Sequence, residues 1–207
     1  YGYRFQSFGE YKALLATYNI CAEEVKGEVN GKPYQGIVYS ATNDNGEKVG
    51  SPVKASRIGK SVGYEAVQRR MEKSGDAIKN GKLKERTRKI VADAVRNTHS
   101  RTELEQQLKK QGIDVGFRQN DNGRIYGVTF IDHDSRVVLN GSRLGKEYSA
   151  NVFNERFSGE TGNIHQSEVE TQQREQSTHQ EQPGFTPKAD IVSGVASVLG
   201  AFGGLLG

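Results

Sequence analysis

The chain has 207 residues, of which 34% are hydrophobic, with a mean hydropathy of −0.71 and a formal net charge of +4. That length admits one or two domains, and that composition suits a small core with a sizeable solvated part rather than an apolar interior throughout. No apolar run reaches the roughly 20 residues of a membrane helix. Residues 1–4 lead into no signal-peptide core, and a single cysteine, Cys21, excludes an internal disulfide, so a cytosolic setting is expected.

The charge is unevenly placed. Residues 51–112 hold 16 Lys and Arg against 7 Asp and Glu, an excess of nine, whereas residues 158–207 hold 2 against 6. A basic middle followed by an acidic, Gln-rich end points to a polyanion-binding body with a solvated extension.

In chain order, the first predicted element is a helix over residues 8–19. Ser7 caps it, Glu10 occupies the capping-box position, and Phe8, Tyr11, Leu14, Leu15 and Tyr18 fall at helical spacing as a core-facing stripe. Residues 23–29 and 32–41 flank Asn30-Gly31, which predicts a β-hairpin. Asn43-Asp44-Asn45-Gly46 supplies the next turn; it lacks the spacing and terminal Glu of an EF-hand loop. Residues 51–63 read as a basic loop with Lys54, Arg57 and Lys60 at intervals of three. Their Gly59-Lys60-Ser61 resembles the end of a P-loop, but Lys54 stands where that motif needs its first Gly.

Residues 63–80 and 82–98 read as two helices around Asn80-Gly81. Val67, Met71 and Ile78 face inward on the first, and Leu83, Ile90, Val91, Ala94 and Val95 on the second. Five cations, Lys82, Lys84, Arg86, Arg88 and Lys89, crowd the start of the second helix against Glu85 alone. They form either a solvated helical face or a phosphate-binding one, along two stripes (Lys82, Arg86, Lys89 and Lys84, Arg88). A third helix starts at Ser100 with Glu103 as its capping-box partner, turns Leu104 and Leu108 inward, and ends at Gly112.

The organising stretch is residues 113–157. Alternating Ile113 to Arg118, the turn Asn120 to Gly123, a β-rich run from Arg124 to Asp132, a turn at His133 to Arg136 and a short run Val137 to Leu139 predict three strands. Asn140-Gly141-Ser142 closes the sheet, and a helix follows with Tyr148, Val152 and Phe153 on one side. Beyond Phe157 the pattern dissolves. Residues 158–183 are predicted to be disordered, with the isolated His165 and His179, and residues 192–207 form a Gly-rich apolar docking or unstructured end. The predicted fold class is α+β, in three parts: residues 1–50 as helix plus hairpin continuing from an upstream domain, 51–157 as basic helical pair and small α+β unit, and 158–207 as tail.

The strings GRIYGVTFIDH, NGSRLGKEYSAN, EEVKGEVNGKPYQGIVYSA and LKERTR resemble the relaxase/mobilisation nuclease family of conjugative and mobilisable elements, in the region after the nuclease domain. The resemblance spans about residues 5–157. It implies a parent protein that nicks DNA by tyrosine transesterification, aided by a divalent metal in a His cluster. Here His99, His133, His165 and His179 are scattered and no Tyr has a His cluster beside it in sequence, so no catalytic or metal-binding residues, and no cofactor, are expected in this chain. The catalytic domain is expected upstream of Tyr1. Asp132-His133-Asp134 reads as a polar turn or, less simply, a metal triplet.

Two function classes follow. One is a DNA-binding module near the transfer origin, with Lys82, Lys84, Arg86, Arg88, Lys89, Arg118, Arg124, Arg143 and Lys146 on phosphates. In it, Tyr126 and Phe130, which share a strand face, stack on bases or fill the core. The other is a protein-docking module that recruits accessory mobilisation proteins or the coupling protein.

Overall fold

The computed structural model describes residues 2–80 and 83–158. The expected tail, its two histidines and Lys82 lie outside the described residues. The fold is α+β: α1 (Phe8–Ala16), β1 (Ile20–Val29), β2 (Lys32–Thr42), β3 (Lys48–Lys54), α2 (Ala55–Ile58), a 3₁₀ turn (Lys60–Val62), α3 (Tyr64–Asn80), α4 (Leu83–Asn97), α5 (Arg101–Lys110), β4 (Ile113–Gln119), β5 (Ile125–Asp132), β6 (Val137–Asn140), α6 (Gly141–Leu144), a second 3₁₀ turn (Lys146–Tyr148) and α7 (Ala150–Phe157). No helix among the described residues is long and apolar enough to cross a membrane.

The strands form two three-stranded sheets in the orders β1-β2-β3 and β4-β5-β6. Short turns join successive strands, so neighbours run antiparallel. In the first hairpin Val29 pairs with Lys32 across Asn30 (φ 52°) and Gly31 (φ 73°), the two positive-φ residues its tight turn requires. The expected basic loop over residues 51–63 is corrected: its first part is the edge strand β3, followed by α2. Pro52 hid the strand, since proline cannot donate to a ladder; an edge strand tolerates it. The boundary expected at residue 50 falls inside this strand.

The chain repeats one succession of elements: capped helix, three-strand meander, four-residue helix, 3₁₀ turn, helix. The first copy begins at α1 and the second at α5, with α4 between them. Ser7 and Ser100 both cap by accepting from the backbone N–H of the Glu three residues on, and each Glu carboxylate accepts a backbone N–H just before the helix. Positive-φ Asn19 and Gly112 end the two helices one residue before buried Ile20 and Ile113. Gly36-Ile37-Val38-Tyr39 in β2 corresponds to Gly127-Val128-Thr129-Phe130 in β5, which makes the fully buried Tyr39 and Phe130 equivalent. Ser56-Arg57-Ile58-Gly59-Lys60 corresponds to Ser142-Arg143-Leu144-Gly145-Lys146.

By contacts the described residues fall into two compact units, one of residues 2–86 and 131–139, the other of residues 87–130 and 140–158. In the first, Phe5, Leu14, Leu15, Ile37, Tyr39, Val62 and Val67 form the core together with Ile131 and Val138 from the ends of β5 and β6. Tyr39 Oη donates to the Val62 carbonyl at 2.7 Å, so Tyr11 is the donor in the 3.0 Å Tyr11–Tyr39 hydroxyl pair. Arg4 forms a parallel bridge with Val137, fixing the N-terminal segment beside β6.

In the second unit, Phe117, Phe130, Phe153 and Phe157 pack with ring centroids 5.6 to 6.2 Å apart, the range of favourable edge and offset contacts. Arg156 donates to the carbonyls of Val95 and Thr98 at the end of α4. Tyr148 and Phe153 are buried as expected, but Val152 is corrected: it is 39% exposed, because α7 turns Phe153 and Phe157 inward instead.

Burial raises the Tyr39 hydroxyl far above the ordinary tyrosine range, and burial raises Tyr11 too. The unfolded chain releases these protons near pH 10 while the folded chain holds them. Stability from this pair is therefore intact below about pH 10 and falls as pH rises further. Tyr39→Phe leaves the Val62 carbonyl and the Tyr11 hydroxyl unmatched, so a loss of about 1–2 kcal/mol is expected in urea unfolding at neutral pH. The alkaline decline should be shallower in the variant; an equally steep one would contradict this origin.

Candidate nucleic-acid interface

The cations singled out in the sequence divide by what their side chains touch. On α4, Arg86 is the main correction. Its Nη1 donates to both oxygens of Asp132 at 2.6 Å, and its Nη2 to Asp134 Oδ2 at 2.5 Å. The Asp132 side chain has no exposed surface, and its Oδ1 also accepts the backbone N–H groups of Asp134 and Ser135 at 3.1 and 3.0 Å. Arg86 is a structural ion pair, half-buried, and not an exposed phosphate contact. Of the stripe expected through Lys82, Arg86 and Lys89, Arg86 is thus taken up by carboxylates, and Lys82 lies outside the described residues.

Arg88 is exposed but meets Glu147 at 3.0 Å. Donating a hydrogen bond to Glu147 raises Arg88, and Glu147 is lowered by its own backbone N–H and then by Arg88, so both stay charged and offset one another. Lys84 and Lys89 are exposed. Among the described residues no carboxylate pairs with either.

The β4–β5 hairpin presents Arg118 and Arg124, both exposed and neither paired with a described carboxylate. The Arg118 guanidinium lies 5.6 Å from the centroid of the Tyr126 ring, which is 60% exposed. Gly127 makes room for it: a Cβ there would stand 2.5 to 2.9 Å from the guanidinium atoms. Phe130, expected to share a stacking face with Tyr126, is wholly buried against Phe153, so Tyr126 alone is available to a base. Arg143 and Lys146 are exposed on α6 and the 3₁₀ turn after it.

Among the described residues no His, Asp, Glu and Cys groups assemble into a metal-binding cluster. His133 Nδ1 lies 2.5 Å from the Tyr3 hydroxyl, with the rings edge to face, and the His99 backbone N–H donates to Glu103. The fold thus brings a Tyr to a His that sequence spacing kept apart. The divalent metal implied by the resemblance does not fit here: Asp132 and Asp134 face a guanidinium and His133 faces a phenol.

Arg57 and Lys60 were expected in a basic loop and not among the phosphate contacts, and Ser56 was not singled out. The signal that finds them is internal, the recurrence of Ser-Arg-x-Gly-Lys at residues 56–60 and 142–146. Comparison with family models, curated proteins and solved structures returned no match.

Removing Arg86 leaves a buried carboxylate unmatched, which typically costs about 3–5 kcal/mol. Arg86→Ala is expected to lose that much in urea unfolding, and Asp132→Asn in the same background to recover part of it. Lys89→Ala, at an exposed position, should stay within about 0.5 kcal/mol of the parent. Equal effects of Arg86→Ala and Lys89→Ala would contradict the assignment.

Proposed function

We propose that this chain is a DNA-holding part of a relaxase acting in conjugative transfer, gripping DNA near the transfer origin and leaving strand cleavage to other residues of the parent protein. The observation that carries this reading is the Tyr126–Arg118 pair. A tyrosine 60% exposed beside an exposed guanidinium presents a ring face and a cation together. A base can stack on such a ring while the cation meets the adjoining phosphate. The resemblance of the flanking strings to relaxases supplies the setting. Exposed Lys84 on the first unit, and Lys89, Arg124, Arg143 and Lys146 on the second, supply further phosphate contacts.

The chemistry expected of these residues is positioning alone. Stacking tolerates any base, so sequence preference should be weak, and phosphate contacts make affinity fall with salt.

Fluorescence anisotropy with a single-stranded oligonucleotide tests this. Tyr126→Ala is expected to weaken single-strand binding about tenfold, since one stacked base contributes about 1–3 kcal/mol, and to leave duplex binding nearly unchanged. The chain should release no cleaved strand and form no covalent adduct with added Mg²⁺ or Mn²⁺. Absence of binding to any nucleic acid at low salt would overturn the proposal in favour of docking to accessory mobilisation or coupling proteins.

A further inference from the structure

The segment Ser-Arg-x-Gly-Lys recurs in the same backbone frame. The residue before the short helix is extended in both copies, Lys54 at φ −67°, ψ 138° and Asn140 at φ −61°, ψ 143°. Gly59 (160°, 162°) and Gly145 (175°, 157°) end the short helices, each donating its N–H at 3.0 Å to the first residue of its helix, Ala55 or Gly141. Gly63 (−72°, 161°) and Ser149 (−70°, 158°) close the 3₁₀ turns.

Packing explains only some of what recurs. Ala55 and Gly141 are buried at the start of the short helices, and Val62 and Tyr148 are buried at the ends of the 3₁₀ turns. At Gly141 no side chain fits, because a Cβ would stand 1.9 Å from the Tyr148 carbonyl oxygen. These positions vary in identity and keep only their burial.

The residues that recur unchanged are the outward ones. Ser56 and Ser142, Arg57 and Arg143, and Lys60 and Lys146 are all exposed. No described carboxylate pairs with Arg57, Lys60 or Lys146. Gly59 recurs without a packing reason: its backbone is extended, and a Cβ there would meet nothing within 4 Å. At Gly59 a bare residue between two cations keeps the surface open for close approach of a ligand, whereas at Gly145 the Glu147 carboxylate, which Arg88 holds, lies 2.5 to 2.7 Å from where a Cβ would stand.

We infer that the two Ser-Arg-x-Gly-Lys segments are duplicate phosphate-gripping elements, one in each unit, through which the chain holds the DNA backbone. This rests on the DNA-binding reading and adds Arg57 and Lys60, which that reading did not contain. Arg supplies a planar fork of donors, Lys a mobile ammonium, and Ser a hydroxyl donor, a set suited to phosphate oxygens. The segment exposes no large apolar side chain that would anchor a protein partner, and a repeated element suits a ligand with repeating charge.

The test is the salt dependence of single-strand binding by the 207-residue chain. Arg57→Ala/Lys60→Ala and Arg143→Ala/Lys146→Ala should each flatten the slope of log K against log salt by about 0.7 to 1.4, one or two phosphate contacts at roughly 0.7 each. The quadruple variant should lose the sum. Gly59→Asp, which places a carboxylate in open space between the first pair of cations, should match the first double variant with an unchanged unfolding midpoint. If the parent binds and its slope is untouched by Arg57→Ala/Lys60→Ala or by Gly59→Asp, the duplication carries no shared role and the inference fails while DNA binding stands. If the parent binds no DNA, the underlying reading fails first.

Discussion

The buried carboxylate of Asp132 is the constraint on which the first compact unit depends. It ends β5, accepts from Arg86 at the start of α4, and caps the turn that leads into β6. A carboxylate with no exposed surface is tolerated only when its charge is matched and its oxygens are hydrogen-bonded, and here a guanidinium and two backbone N–H groups meet it. The same turn receives the N-terminal segment, through Tyr3 on His133 and Arg4 beside Val137. Ile131 and Val138, one residue on the near side of each strand's junction with that turn, then enter the core with Phe5 and Tyr39. Residues far apart in sequence are thereby tied to one polar turn beside the apolar core.

That interaction also separates structural cations from those open to a ligand. Arg86 and Arg88 lie within the densest basic run, yet both face carboxylates. The Tyr126–Arg118 pair and the Ser-Arg-x-Gly-Lys segments lie outside that run, on a hairpin and on short helices. Local density of Lys and Arg is thus a poor guide to which ones meet solvent alone. A partner 46 residues away decides it for Arg86.

Much of the fold was legible because its signals are local. Asn30-Gly31 fixes a turn by its own φ preference, Ser100 and Glu103 fix a helix start, and the alternation from Ile113 marks a strand. Edge strand β3 was not legible, since Pro52 lacks the donor that a strand pattern assumes, and a four-residue helix is too short to show a period. The internal repeat was hidden by unequal strand lengths, since β1, β2 and β3 (10, 11 and 7 residues) are each longer than β4, β5 and β6 (7, 8 and 4 residues). The spacing between equivalent residues falls from 93 (Ser7 to Ser100) to 91 (Gly36 to Gly127) and 86 (Arg57 to Arg143). At the candidate site, Tyr126 was legible as an aromatic on a strand, but its exposure and the burial of Phe130 depend on where α7 packs.

The central claim is that exposed cations on named segments hold DNA. Lysine acetylation read by mass spectrometry, with and without a single-stranded oligonucleotide, measures it most directly. Lys60 and Lys146 should be protected together, with Lys84 and Lys89 protected in addition, while Lys12 and Lys32, exposed on α1 and at the start of β2, react as they do in the free chain. Uniform protection of all six, or unchanged reactivity at Lys60 and Lys146 under conditions where the oligonucleotide is bound, would contradict it.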